Sequence, residues 1–268
     1  MNSSSTMNDT IRYTNIISKG TALINETRTL LNTWEPDEPL DEFIKRVQEQ
    51  DLLGKTTAYR TRDIVRRVFA QRFLIPSNKP ARVLKGILNS NLSSATFIEM
   101  LFVYCCRKDP LIRDFTSKEF WSAVKKGKIN ADHDLVLSFL SEAAINGNIN
   151  PPWSNQVQIR VSRSLLGMLR DIGFIHELKK GRKEIANYRV SDDTIAILAR
   201  DLHESGISDA MIFEHPDWRI FGLTRNDVLE RLNGIGREHG FVLQWAGSVV
   251  QLTWNVSSIQ EMIDVLSR

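Results

Sequence analysis

Apolar residues recur at helical spacing from the N-terminus to about residue 150. In the segment 56–74, Ile64, Val65, Val68 and Phe69 fall on one side of a helix and arginines on the other, which is typical of an amphipathic helix. Polar or proline-containing segments separate such runs. The pattern predicts helices over about 20–34, 41–53, 56–74, 80–88, 94–107, 117–125 and 132–146. This part of the chain is therefore predicted to be a helical bundle.

From Ser154 the pattern predicts one longer helix followed by two short strands. The apolar stripe of the helix is formed by Val161, Leu165, Met168, Leu169 and Ile172. Gly173 then ends the helix. The segments "FIHEL" and "EIANYRV" alternate as strands around "KKGRK", where Gly181 permits a tight turn. Together with the predicted helices near Phe120 and Leu137, this order predicts a winged helix-turn-helix.

The segment 193–268 is predicted to be a small α+β part. Helices are expected over 193–203 and 208–214, and Thr224 with Asp227 forms a capping-box pattern that opens a further helix. "FVLQW" and "VVQLTW" then pair across "AGS". This order resembles the preceding helix and ribbon; an internal repeat and a chance likeness both remain open, because a helix followed by a hairpin is common. We predict a mainly α protein with small β-hairpins, divided into 1–110, 111–192 and 193–268.

The net charge of +3 is unevenly distributed. The segment 56–86 has eight basic residues and one acidic residue, and 154–190 has eight basic and three acidic. The segment 201–268 reverses the sign, with five basic and ten acidic residues. Two basic regions followed by an acidic one favour a polyanionic partner for the first two and another role for the third.

The basic residues define the candidate site. A winged helix places its third helix in the major groove of DNA and its hairpin on the adjacent backbone, so the candidates on the helix are Gln156, Arg160, Arg163 and Arg170. Gly167, on the same face, would let the helix backbone approach closely. The hairpin candidates are Lys179, Lys180, Arg182 and Lys183, as phosphate contacts. Arg60, Arg66 and Arg67 are candidates for a second contact. Solvated helix faces with i, i+4 ion pairs, or a winged helix that docks a protein, are the alternatives.

Signals for catalysis, metal binding and cofactor binding are weak. "LLGKTT" ends like a phosphate loop, but Glu49 stands where the upstream glycine belongs. The five histidines are scattered, and Cys105 and Cys106 are adjacent without metal-ligand spacing. We therefore expect a non-enzymatic protein without a cofactor or metal. Stacking on single-stranded bases ranks second to duplex binding, since Trp121, Trp153, Trp218, Trp245 and Trp254 are expected in the core and Trp34 lies beside an acidic break.

No apolar run reaches the ~18 residues that a membrane span requires. "TFIEMLFVYCC", from Thr96, is shorter and contains Glu99, so it is interpreted as a core helix. The first ten residues lack the basic and apolar regions of a signal peptide and are expected to be a frayed tail. A cytoplasmic location is expected, with both cysteines reduced.

Three segments resemble one known family. These are "YTNIISKGTALINETRTLL" from Tyr13, "DLLGKTTAYRTRDIVRRVFAQRFL" from Asp51 and "HPDWRIFGLTRNDVLERL" from His215. They are similar to BrxA, the accessory protein of the BREX bacteriophage-exclusion systems. The resemblance implies a bacterial, cytoplasmic, non-enzymatic DNA-binding protein whose helical N-terminal part is similar to the antitermination factor NusB. It also implies a role alongside a methyltransferase, an ATPase and a phosphatase-like protein.

The expected function is binding of double-stranded DNA through the basic helix and hairpin. Asp217, Trp218 and the ribbon 241–254 are expected to form an interface for other BREX components. A scaffold that only docks proteins, and an RNA-binding protein of the antitermination kind, are the alternatives.

Overall fold

Short helices joined by brief turns build the N-terminal half of the molecule. The computed structural model describes residues 11–178, 181–236, 239–246 and 249–268, so the predicted frayed tail lies outside the described residues. A 3-10 turn (Ile16–Lys19) precedes the first helix. The helices are α1 (Ile24–Thr33), α2 (Leu40–Glu49), α3 (Ala58–Asp63), α4 (Ala70–Phe73), α5 (Lys79–Leu88), α6 (Ser94–Lys108), α7 (Pro110–Asp114) and α8 (Trp121–Lys125). π-helical stretches, Ile64–Phe69 and Phe115–Phe120, join α3 to α4 and α7 to α8.

Helices again dominate the C-terminal half, together with two antiparallel hairpins. The elements are α9 (His133–Ile145), α10 (Asn155–Ile172), β1 (Ile175–Glu177), β2 (Lys183–Ile185), α11 (Asp192–Glu204), α12 (Asp209–Ile212), a 3-10 helix (Pro216–Phe221), α13 (Arg225–Ile235), β3 (Phe241–Ala246), β4 (Val249–Trp254) and α14 (Ile259–Leu266). Ile175 lies opposite Ile185 in the first hairpin, and Phe241 opposite Trp254 in the second. The predicted fold class, mainly α with small β-hairpins, is confirmed.

Helix α6 is the centre of the fold. Its residues from Thr96 to Cys106 are almost all buried, as expected for a core helix. Glu99 is 1% exposed, and its carboxylate accepts hydrogen bonds from the hydroxyls of Ser191 and Thr194, each at 2.6 Å. Because a buried charge is costly unless it is hydrogen-bonded, these bonds hold the start of α11 against α6.

The first hairpin is attached to the segment between α8 and α9. The Ile185 amide donates to the Ile129 carbonyl at 2.8 Å, and the Ala131 amide donates to the Lys183 carbonyl at 3.1 Å. On the other side of the hairpin, the Ala186 amide donates to the Phe174 carbonyl at 2.9 Å. The hairpin therefore lies in a fixed position relative to α9 and α10. Its second strand is shorter than predicted, since 186–190 is not strand.

One hydrophobic cluster runs through the described residues, from Tyr13 to Ile263. Phe174, between α10 and β1, stands at a junction of aromatic rings, with centroids 5.4 Å from Phe102, 5.7 Å from Phe120 and 4.6 Å from Tyr188. The cluster crosses both predicted boundaries, near 110 and 192. The three-part division and the likeness of the N-terminal part to NusB stay predictions.

Residues 11–21, which we call the N-terminal strap, run across the second part of the chain. The Tyr13 amide donates to the Asn148 carbonyl at 2.7 Å, and the Tyr13 hydroxyl donates to Asp114 at 2.8 Å. Further along, the Thr21 hydroxyl donates to Asp171 of α10 at 3.5 Å. The strap thus connects α1 to the surface of α10.

The C-terminal part differs from three sequence predictions. Asp217 and Trp218 are 5% and 1% exposed, so the interface predicted there is wrong: Asp217 is paired with Arg107, and the Trp218 indole donates to the Ile212 carbonyl. Trp245, predicted in the core, is 51% exposed. Helix α14 was not predicted. None of the described helices has the length and apolar character needed to cross a membrane.

Candidate nucleic-acid interface

Helix α10 exposes one polar side and buries the other. Its apolar stripe packs against the core, and Gly173, with φ of 94°, ends the helix as predicted. Gln156, Arg160, Arg163 and Arg170 are all exposed. Among the described residues, no carboxylate lies within 4.0 Å of Arg160 or Arg163. The N-terminal half of the exposed side therefore presents two guanidinium groups that no acidic side chain neutralises.

Arg170 has a different environment from the other two arginines of α10. Its guanidinium lies 3.0 Å from Asp171 and 3.3 Å from Glu177 of β1. The hydrogen bond with Asp171 raises the pKa of Arg170. Because two carboxylates already occupy this guanidinium, it has less charge to offer a phosphate. Its bond to Glu177 instead places the first hairpin beside α10.

The strap covers the C-terminal half of the exposed side of α10. A Cβ atom at Gly167 would lie 3.5 Å from the Thr21 methyl group. The prediction that Gly167 lets a nucleic-acid backbone approach is therefore wrong, because Thr21 occupies that space. Gln156, Arg160 and Arg163 lie on the helical turns before Gly167 and are exposed.

Acidic residues partly balance the charge of the first hairpin. Arg182 is exposed and lies 3.9 Å from Glu184. Lys183 is half-buried and stands opposite Glu177 in the ladder. The other two predicted contacts, Lys179 and Lys180, lie outside the described residues.

Three arginines of the 58–73 helical run, Arg60, Arg66 and Arg67, are engaged by carboxylates. Asp63, 8% exposed, lies 3.1 Å from Arg67 and 3.7 Å from Arg60. Arg66 pairs with Asp41. The alternative interpretation, a helix face with i, i+4 ion pairs, thus describes Arg67, while Arg60 pairs with the same carboxylate at i, i+3. These arginines are neighbours of one another and of the strap, because Arg60 also donates to the Lys19 carbonyl at 2.6 Å.

A third set of basic residues was missed by the sequence analysis. Lys125, Lys126 and Lys128 are exposed, and no carboxylate of the described residues lies within 4.0 Å of them. They directly precede the segment 129–131 that pairs with β2. The sequence signal was "KKGK", which resembles the hairpin loop, but its position after a helix gave no reason to place it beside the hairpin.

Metal binding has no support in the described part of the chain, where no group of three His, Cys, Asp or Glu side chains is arranged to hold an ion.

Comparison with known proteins identifies the family. No curated protein sequence matches the chain. Among solved structures, the crystal structure of an uncharacterized protein from Magnetospirillum magneticum is similar, with a TM-score of 0.59 and 15% sequence identity. That likeness covers 78% of this chain and 97% of the other, and at this identity it is a likeness of fold alone. The sequence profile of BrxA matches residues 11–201, well over half of the sequence, and the chain therefore belongs to the BrxA family.

Proposed function

We propose that this BrxA-family component of BREX phage defence binds double-stranded DNA through the N-terminal half of α10 and the first hairpin. The observation that carries the proposal is the exposure of Arg160 and Arg163 without an acidic partner among the described residues. The predicted winged helix-turn-helix is supported by the order of elements from α8 to β2, a run of helices followed by a hairpin, and by the short strand pairing at Asn130. This order supports groove binding by α10.

The spacing of the two arginines suits a phosphate backbone. Arg160 and Arg163 are separated by about 4.5 Å along the helix axis, while a duplex carries one negative charge per about 1.7 Å of its axis. Two neighbouring guanidinium groups therefore reach neighbouring phosphates. Gln156, one turn earlier, is placed to hydrogen-bond a base edge when the helix enters the major groove.

The hairpin and the lysines beside it would extend the contact. Arg182 and Lys183, with Lys125, Lys126 and Lys128, would supply long-range attraction and phosphate contacts rather than sequence recognition. Arg170 would act as a positioning residue, since its bond to Glu177 sets the hairpin against α10.

A charge reversal within α10 tests the proposal. Arg160→Glu combined with Arg163→Glu should abolish binding of a blunt duplex, because each change removes a phosphate contact and adds a repulsion. Arg170→Ala, on the same helix but already paired, is the matched control and should lower affinity much less. Fluorescence anisotropy across a salt series measures both.

The salt dependence of wild-type binding is a second test. With four to six phosphate contacts, a plot of log affinity against log salt concentration should have a slope of about −4 to −5. A flat slope, or equal effects of the two variants, would contradict the proposal.

A second candidate function is docking of another BREX protein by the C-terminal part. Trp245 at the end of β3 and Met211 of α12 are 51% and 57% exposed, and exposed aromatic and Met side chains are enriched in protein interfaces. The partners to test are the methyltransferase, the ATPase and the phosphatase-like protein. Trp245→Ala should weaken a pull-down of the true partner while leaving duplex binding unchanged.

A further inference from the structure

The helical run that begins at α3 carries an exposed aromatic ring among arginines. Tyr59, Arg62, Arg66 and Arg67, with Asp63, line a depression of about 250 Å³. Tyr59 is 71% exposed, although tyrosine rings usually bury most of their surface. We call these residues, together with Lys19 and Arg60, which also pair with Asp63, the Tyr59 patch. Its combination of a flat ring and cations is not explained by packing.

One buried carboxylate organises the cations of the Tyr59 patch. Asp63 lies 3.1 Å from Arg67, 3.4 Å from Lys19 and 3.7 Å from Arg60. A single carboxylate neutralises only one of these three charges. It therefore fixes the cations in place while leaving most of their charge available to a ligand.

The patch has an excess of positive charge. Among the described residues, the carboxylates within 4.0 Å of its five cationic side chains (Lys19, Arg60, Arg62, Arg66 and Arg67) are Asp63 and Asp41, which leaves an excess of three at this distance. Arg62 is exposed, and no carboxylate among the described residues lies within 4.0 Å of it. An anionic ligand is therefore favoured.

We propose that the Tyr59 patch binds an unpaired DNA strand, with one base stacked on Tyr59 and the adjoining phosphates on Arg62 and Arg67. Bases in a duplex are stacked on each other and offer no face to a protein ring, whereas every unpaired base does. This inference rests on the proposed function in that the unpaired strand continues from the duplex bound at α10.

The position of the strap supports that continuity. Arg60 of the patch donates to the Lys19 carbonyl at 2.6 Å, and two residues later Thr21 touches the Gly167 position of α10. The patch and the basic side of α10 are thus joined through residues 19–21.

The experiment compares two probes on the full chain. One is a blunt duplex, and the other is the same duplex with a thymine-only single-stranded extension. Tyr59→Ala should weaken binding of the extended probe roughly 5- to 100-fold, down to the affinity for the blunt duplex, and leave the blunt duplex unaffected. Tyr59→Phe keeps the ring and should retain wild-type affinity. Arg62→Ala should weaken only the extended probe, whereas Arg82→Ala, an exposed arginine of α5, is the charge-matched control and should not.

A fluorescent adenine analogue in the extension reports stacking directly. Its emission should fall on binding to the wild type and to Tyr59→Phe but not to Tyr59→Ala. Equal affinity of the wild type for both probes, or an unchanged affinity of Tyr59→Ala for the extended probe, would overturn the inference. Failure of the α10 proposal would give a different result. The Arg160→Glu, Arg163→Glu variant would then keep the wild-type affinity for the blunt duplex, while Tyr59→Ala would still weaken binding of the extended probe.

Discussion

Asp109 is the residue whose protonation most clearly affects folding. Its Oδ1 atom accepts from the Leu111 amide at 3.1 Å and caps α7, while Oδ2 is buried without a hydrogen-bond partner. Burial raises the pKa of Asp109 to about 6, although the nearby charge of Arg72 opposes the shift. The carboxyl is thus neutral in the folded chain at a pH where it is ionised in the unfolded chain.

Replacing Asp109 by Asn should therefore change the pH dependence of stability. The contribution of Asp109 is fully present below about pH 4, its pKa in an unfolded chain, and is lost as the pH rises through about 6. Asp109→Asn keeps the cap but cannot ionise, so it should match the wild type near pH 4. At pH 7 it should be more stable by up to roughly 3 kcal/mol. Urea unfolding at both pH values measures this.

The cap residue Ser93 of α6 provides the control: its hydroxyl accepts from the Thr96 amide at 3.1 Å and carries no ionisable group, so Ser93→Ala should give the same difference at both pH values. A pH-independent difference for Asp109→Asn would contradict the assignment.

Single side chains also show where prediction from sequence stops. The alternation of β3 correctly places Trp245 on the same face as Phe241 and Leu243, which are buried. Trp245 is nevertheless exposed although Val250, directly opposite it, is buried, and no local pattern records where the core ends. In the same way, the sequence predicts Arg170 to be available for a phosphate. Its partner Glu177 belongs to the next element, so the pattern of α10 alone does not show the ion pair.

At the scale of elements, replacing either of two glycines by alanine should change the stability of the protein in opposite directions. Gly167 lies within α10, and an added methyl group would make an ordinary contact with Thr21 at 3.5 Å. Gly167→Ala should raise the free energy of unfolding by about 0.5–1 kcal/mol, since glycine is a poor helix former. Duplex binding should not change, because the strap already covers this position. Urea unfolding and anisotropy measure the two results; a loss of binding would show that DNA does approach Gly167.

Gly222 should not tolerate the same change. It ends the 3-10 helix with φ of 72°, and an added Cβ would lie 2.7 Å from the Trp121 ring. Gly222→Ala should lower the free energy of unfolding by more than about 1 kcal/mol, from backbone strain and displacement of Trp121. A denaturation midpoint equal to or higher than that of the wild type would contradict this explanation.

Helix positions could be predicted from the sequence, but strand lengths and packing partners could not. The capping box at Thr224 and Asp227 is present as predicted, since both partners are close in sequence. Only Glu184 and Ile185 of "EIANYRV" form strand, together with the preceding Lys183, because the segment 129–131 that supports the strand comes from another part of the chain. The exposure of Arg160 and Arg163 could be predicted from the helical periodicity alone. The position of Lys125, Lys126 and Lys128 beside the hairpin could not, because it depends on the pairing of 129–131 with β2.

At the scale of the whole molecule, a buried ionic cluster joins α6 to the C-terminal part. Arg107 lies 2.5 Å from Asp201 of α11 and 2.7 Å from Asp217. Burial would raise the pKa of Asp217, but the hydrogen bond from His215 and the charge of Arg107 hold it below its usual value. Lys79 of α5 also pairs with Asp201 at 2.8 Å. Sequence reasoning could not foresee this cluster, because its members are distant along the chain.

Removing Arg107 should therefore destabilise the whole molecule. Arg107→Met leaves two buried carboxylates poorly compensated and should cost about 3–5 kcal/mol. Adding Asp201→Asn and Asp217→Asn should restore part of that loss, since the unpaired charges are then absent. Thermal unfolding should show one transition for each variant, as expected from the continuous hydrophobic cluster. A separate early transition would instead support independent folding of 193–268.

The N-terminal strap has a consequence for folding during translation. Residues 11–21 are synthesised before their partners, because their contacts with Asp114, Asn148 and Asp171 involve residues made 101 to 150 positions later. At typical translation rates, Thr21 waits roughly 10–30 s for α10 to emerge. The proposed DNA-binding surface includes both the Tyr59 patch and α10. It is therefore complete only after α10 has been synthesised.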